Sequence, residues 1–168
     1  MPILTPNVLE MTSHSADQTV RLGMRLGELV PPDSVVALLG GLGAGKTAFA
    51  SGFGAGWGAI EPVSSPTFVF AHAHHRAADA TPLYHIDAYR LRDAADAESI
   101  GLSDMLDDQG VLLIEWADRV TGWLPAERLT IRFNAIEESP TRRLILFEAV
   151  GDRYLNLLDS LRRHALGR

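Results

Sequence analysis

Val35-Val36-Ala37-Leu38-Leu39-Gly40-Gly41-Leu42-Gly43-Ala44-Gly45-Lys46-Thr47 is the stretch whose reading decides the fold. Five apolar residues in an unbroken run predict a strand buried on both faces. The run leads straight into Gly40-x4-Gly45-Lys46-Thr47, which matches the phosphate-loop pattern G-x-x-x-x-G-K-[ST]. The context on both sides agrees, with a helix predicted from near Lys46 to Gly54–Gly58. The spacing has a physical reason. Glycines let successive backbone N–H groups curl around a phosphate without Cβ clashes, and the following helix points its N-terminal dipole at the same anion. Lys46 can reach the outer phosphates, and the Thr47 hydroxyl can ligate Mg²⁺. An α/β nucleotide-binding fold follows from this one segment.

Composition agrees. The chain has 168 residues, of which 46% are hydrophobic and 21% charged, so one domain spanning 1–168 with a full core is expected. There is no cysteine, which excludes disulfides, thiolate metal sites and cysteine nucleophiles. The start, Met1-Pro2-Ile3-Leu4-Thr5-Pro6, has neither basic residues nor an apolar core, and no apolar run approaches the roughly 18 residues that span a bilayer. A cytoplasmic location is the expectation. A net charge of −6 argues against direct binding of nucleic acid. The basic residues are fourteen arginines and one lysine, Lys46. A compact ammonium differs from a planar guanidinium, so the single retained lysine marks a position where arginine does not serve.

Around that centre, the pattern predicts a short strand over 7–11 and a helix over 16–30, capped by Ser15 or Ser13 and ended by Pro31-Pro32. Strands are expected over 67–72, 83–87 and 111–116. A helical stretch over 94–108 is broken at Gly101, with Ser103 as a fresh cap. Strands over 129–133 and 144–150 form a hairpin around a loop at 135–142, and a helix covers 152–165. Residues 74–81 are expected to be a flexible loop.

Two carboxylates at strand ends, Asp87 and Glu115, compete for the remaining metal position, where either can serve directly or through water. Ser64-Ser65-Pro66-Thr67-Phe68 offers a loop hydroxyl able to sense a terminal phosphate. A guanine-reading Asn-Lys-x-Asp is absent, because the only lysine lies in the phosphate loop. A transporter-type Leu-Ser-Gly-Gly-Gln signature is also absent. Three classes remain: an ATPase acting on a partner, a small-molecule kinase, and a nucleotide-dependent binding module. His72, His74 and His75 cluster but lack a fourth ligand, so solvated side chains are the expectation there. Trp57 and Trp123 read as packing residues, whereas Trp116 adjoins Glu115. Arg142, Arg143, Arg162 and Arg163 read as solvated charges.

Taken in order, Leu42-Gly43-Ala44-Gly45-Lys46-Thr47, Ser65-Pro66-Thr67-Phe68, His85-Ile86-Asp87-Ala88-Tyr89-Arg90-Leu91 and Ile114-Glu115-Trp116 resemble the TsaE (YjeE) family, bacterial P-loop ATPases of tRNA threonylcarbamoyladenosine biosynthesis. The resemblance spans about residues 15–120. It implies a P-loop NTPase with a mixed β-sheet flanked by helices, Mg²⁺-dependent ATP hydrolysis, and work beside the carbamoyl-transfer proteins TsaD and TsaB, touching tRNA only indirectly. It implies that Thr47 and Glu115 ligate Mg²⁺, that Asp87 is the essential carboxylate, that Thr67 is the switch hydroxyl and that Lys46 acts on the phosphates. It also implies nucleotide contacts from Leu42, Gly43, Ala44 and Gly45, from the region of Ala16 and Thr19, and from Arg142. One departure stands out: Gly41 occupies a position where the family usually has an acidic residue.

Overall fold

The computed structural model describes residues 5–41, 43–64, 71–89, 91–92 and 94–165. Seven strands, β1 (Val8–Ser13), β2 (Ser34–Gly40), β3 (Ala71–His74), β4 (Leu83–Asp87), β5 (Val111–Glu115), β6 (Arg128–Ala135) and β7 (Arg143–Val150), form one sheet in the order β1-β7-β6-β2-β5-β4-β3. The four central strands, β6, β2, β5 and β4, run parallel, while β7, β1 and β3 are antiparallel to their neighbours. The sheet is therefore mixed, as the resemblance implied. The runs Val35–Leu39 of β2 and Val111–Ile114 of β5 are apolar because both of their faces are covered. Val36, Leu38, Val111 and Leu113 face a core shared with α1 (Ala16–Leu29), α2 (Lys46–Trp57) and α5 (Asp152–Ala165). Val35, Ala37, Leu112 and Ile114 face a second core under α3 (Ala94–Ser99), α4 (Leu102–Asp107) and the 3-10 helix Ala117–Trp123. In β6 the residues Ile131 and Phe133 are buried while Arg132 and Asn134 are exposed, the alternation of a strand with one face in water.

Local signals explain the element boundaries. Ser15 caps α1, its hydroxyl accepting from Gln18 N at 3.1 Å, while Gln18 Oε1 accepts from His14 N at 2.8 Å. This reciprocal pairing satisfies two N-terminal donors. Ser13 is used differently, its hydroxyl meeting Thr19 Oγ1 at 2.7 Å with both groups buried. The break between α3 and α4 falls at Gly101 as expected, but Ser103 is not the cap. Gly101 itself takes the left-handed conformation at φ +77° and caps α4, and the Ser103 hydroxyl donates to Glu98 instead. His74 belongs to β3 and not to the loop after it. That loop is tied by pairing of Ala59 with Arg76 and by an Arg76–Asp79 ion pair at 2.7 Å, in place of the free loop expected. The expected strand over 67–72 is seen only from Ala71, since 65–70 lie outside the described residues.

Helices α1 and α2 touch backbone to backbone. A Cβ added at Gly23 would lie 2.2 Å from Phe49 O, and one at Gly27 2.1 Å from Phe53 O. From the other side, a Cβ at Gly52 would lie 2.0 Å from Val20 O, and one at Gly56 2.0 Å from Met24 O. Glycines four apart on each helix thus interlock, because residues i and i+4 share a helix face. This seam locks Phe49–Gly56 of α2 against Val20–Gly27 of α1 and so fixes the helix that follows the phosphate loop.

Candidate functional site

The carboxyl ends of β2, β5 and β4 lie side by side, and the site is built there, at the strand ends where open α/β sheets bind ligands. Strand β2 delivers the loop that leads into α2. Gly43 and Gly45 hold φ of +72° and +106°, conformations that L side chains rarely adopt. Gly45 caps α2 without any side-chain hydrogen bond, so no capping side chain satisfies the N–H groups at that helix start. A Cβ at Gly43 would meet no atom within 4 Å. A helix start without a capping side chain and with an open approach suits an anion.

Lys46 is 5% exposed. Its ammonium donates to Gly41 O at 2.8 Å and to Gly40 O, and lies 3.9 Å from the Trp116 ring centroid. Burial pushes its pKa below the ordinary lysine range, while Glu115, Asp118 and Asp87 pull it back up. The lysine is therefore enclosed, not the solvated loop charge that its setting among glycines suggests.

Parallel pairing of β4 and β5 sets Asp87 directly beside Glu115. Glu115 is 2% exposed. Its Oε1 accepts from Thr47 Oγ1 at 3.4 Å and its Oε2 meets His85 Nε2 at 2.6 Å. Asp87 is half-buried and accepts from Tyr89 N at 3.0 Å, the local turn that an aspartate side chain makes two residues on. Trp116 leaves β5 at φ +58°, and its ring lies 4.8 Å from that of Tyr89. Together Gly43, Gly45, Lys46, Thr47, Asp87 and Glu115, with Tyr89 and Trp116, line a cavity of about 320 Å³. A hydroxyl and a carboxylate 3.4 Å apart are the hard oxygen donors that suit Mg²⁺. The donor set and the helix start thus fit a nucleotide phosphate with its cation.

Two residues expected at the nucleotide fall outside this cavity. Ala16 opens α1 and Arg142 lies exposed in the loop before β7, and neither lines this cavity. Arg142 contributes its N–H to Ser139 Oγ at 3.2 Å. Its neighbour Arg143, the first residue of β7, is the one that reaches the loop, donating to Gly43 O at 3.0 Å. Thr19 does approach the loop, with Cγ2 3.6 Å from the position of a Cβ on Gly45. Leu42, Thr67 and Arg90 lie outside the described residues. Arg162 is not a free surface charge: it donates to Thr5 O and Val8 O and ties α5 to the first strand. Among the described residues no group of three histidine or acidic side chains is placed to hold a metal ion. Sequence reasoning missed His85 as a site residue. Its signal is present in the spacing, since two residues before Asp87 means the same strand face.

Among the described residues no helix is long and apolar enough to cross a membrane. The family model for the threonylcarbamoyl adenosine biosynthesis protein TsaE matches residues 13–144. The tRNA threonylcarbamoyladenosine biosynthesis protein TsaE of Bacillus subtilis is 37% identical over 156 residues, covering 93% of this chain and 95% of that protein. The protein of the same name from Treponema pallidum is 38% identical over 130 residues, covering 77% and 94%. The crystal structure of Bacillus subtilis YdiB superposes with a TM-score of 0.76 at 34% identity, covering 94% of this chain and 96% of that one.

Proposed function

The chain belongs to the TsaE family of threonylcarbamoyl adenosine biosynthesis, and from that premise we propose that it binds ATP with Mg²⁺ over the Gly40–Thr47 loop and hydrolyses it slowly on its own. In this reading it acts in the cytoplasm through TsaD- and TsaB-type partners that modify tRNA, and meets the tRNA only through them. The observation that carries the reading is the meeting of Lys46, Thr47, Asp87 and Glu115 around one cavity at the carboxyl ends of three adjacent strands.

Each residue has a role that follows from its chemistry. The start of α2 and the Lys46 ammonium hold the phosphates and stabilise charge that develops on them. Lys46 is half-prepared for this, since its present acceptors are only backbone carbonyls, which an anionic oxygen can outcompete. Thr47 and Glu115 hold Mg²⁺, which when bound supplies positive charge to the phosphate oxygens. Asp87, beside Glu115 and less buried, accepts a hydrogen bond from water and orients it toward the terminal phosphorus. Leu42, Gly43, Ala44 and Gly45 supply backbone to the phosphates, Ala16 and Arg142 approach the nucleoside side, and Thr67 senses the terminal phosphate. The net charge of −6 supports indirect contact with tRNA.

A pull-down of the full chain with TsaB and TsaD, with and without ATP, tests this reading. Capture that depends on ATP is expected. No capture in either condition overturns the partner assignment, and unstimulated turnover of ATP in the captured complex overturns partner-dependent hydrolysis.

A further inference from the structure

His85 is fully buried, and nothing in the proposed reaction uses it. It lies on the same face of β4 as Asp87, and its Nε2 is 2.6 Å from Glu115 Oε2. Its other ring nitrogen, Nδ1, has no hydrogen-bond partner among the described residues. These two facts together select one tautomer. A proton on Nδ1 would leave a buried donor unpaired and set the Nε2 lone pair against a carboxylate oxygen. A proton on Nε2 is donated to Glu115 and leaves only an acceptor lone pair unpaired, the smaller loss of the two.

We infer that His85 is a positioning residue for the Mg²⁺ site: its Nε2–H holds Glu115 Oε2 and so turns Oε1 toward Thr47. The inference rests on the assignment of Thr47 and Glu115 to Mg²⁺ made above. Glu115 is nearly as buried as His85, and its other side-chain partner among the described residues is a hydroxyl at 3.4 Å, too long to fix the rotation of the carboxylate. The histidine bond is the short one and sets that rotation. One oxygen is then committed to the protein and one is presented to the cavity. His85 does not ligate the cation itself, since its Nε2 is already engaged and Mg²⁺ prefers oxygen ligands. Hydrogen-bond partners of this kind hold a ligand at its working angle and raise the affinity of the site.

Two variants and one spectrum test the inference. In His85→Leu the donor is removed while an apolar side chain fills the space. In His85→Gln the amide nitrogen stands four bonds from Cα, as Nε2 of histidine does, so a donor to Glu115 is retained. ATP binding is measured by calorimetry over a series of MgCl₂ concentrations for the wild type and both variants. The Mg²⁺ concentration at half effect is expected to rise about 10- to 100-fold in His85→Leu and to stay within about threefold of wild type in His85→Gln. ATP affinity without Mg²⁺ is expected to be the same in all three. A folded His85→Leu with wild-type Mg²⁺ dependence overturns the inference, and so does equal impairment of both variants, which is the result of a merely structural histidine. If wild-type ATP binding is itself indifferent to Mg²⁺, the proposed metal site fails, a result distinct from the other two. Should neither variant fold, the ¹⁵N imidazole spectrum of the wild-type protein alone decides: protonated Nε2 is expected at His85, and protonated Nδ1 overturns the assignment.

Discussion

The α1–α2 seam and the strand-end site share the Gly45–Trp57 segment, and they are built on opposite principles. At the seam the determining feature is missing atoms: Gly23, Gly27, Gly52 and Gly56 let two backbones meet where any Cβ would overlap a carbonyl. At the site the determining feature is functional groups that find one another: Lys46 on two carbonyls, Glu115 between Thr47 and His85, Asp87 beside Glu115. The difference teaches that the seam resists additions and the site resists deletions. A protein interior packs too densely for atoms to be added between helices, whereas a polar group at a cavity can be removed with little loss of packing.

The largest expected effect comes from adding bulk to the seam. Gly52→Leu should destabilise the fold by about 3 kcal/mol or more, since the Cβ alone would lie 2.0 Å from Val20 O and both partners are helix backbone that cannot step aside. Denaturant unfolding measures this. A variant that unfolds at the wild-type midpoint would break the comparison at its root.

Next comes Lys46→Ala. Loss of a charge-assisted contact to phosphate should weaken ATP binding by about 1.5–3 kcal/mol, on the order of 10- to 100-fold. The fold should survive, because the two bonds lost are to carbonyls of Gly40 and Gly41, residues that are not buried, so water can replace the ammonium there. Calorimetric titration with ATP beside a melting curve separates the two quantities. Unchanged affinity would remove the lysine from the site.

More selective effects are expected from the two carboxylates. Glu115→Gln should raise the Mg²⁺ needed for ATP binding about 10- to 100-fold, at least as much as loss of its positioning histidine, and Asp87→Asn should leave binding nearly intact while lowering turnover by at least about tenfold. Both changes are nearly isosteric, so packing stays constant. Identical Mg²⁺ profiles in both variants and the wild type would show that adjacent pairing on β4 and β5 does not divide the work in this way.

The smallest effect sharpens the contrast between the two regions. Gly41→Ala adds the same first atom as a seam substitution, but at a position where a Cβ meets nothing within 4 Å. Stability should change by no more than about 0.5 kcal/mol, again read from the denaturant midpoint. A large loss there would mean that glycines in the loop are as constrained as those between the helices.

Much of this molecule is determined by short-range signals. The apolar run 35–39, the glycine spacing of 40–45 and the lysine after it specify strand, loop and helix together, because each depends on the backbone within a few residues. Helix and strand positions elsewhere follow hydrophobic periodicity for the same reason, and four motifs in order carried the resemblance to the TsaE family, to which the chain belongs. What the tertiary structure alone decided depends on which strands are neighbours. Thr47 and Glu115 are 68 residues apart in the chain, and His85 and Glu115 are 30 apart, yet all three meet because β5 inserts between β2 and β4. Long-range pairing also chose between adjacent residues that composition cannot separate, bringing Arg143 and not Arg142 to Gly43 O. It buried Lys46, which a loop of glycines would suggest is exposed, under the Trp116 ring. Local pattern records what a residue can do with its near neighbours. Burial, hydrogen-bond partners and close helix contact belong to pairs of distant segments, and only the assembled sheet and helices determine them.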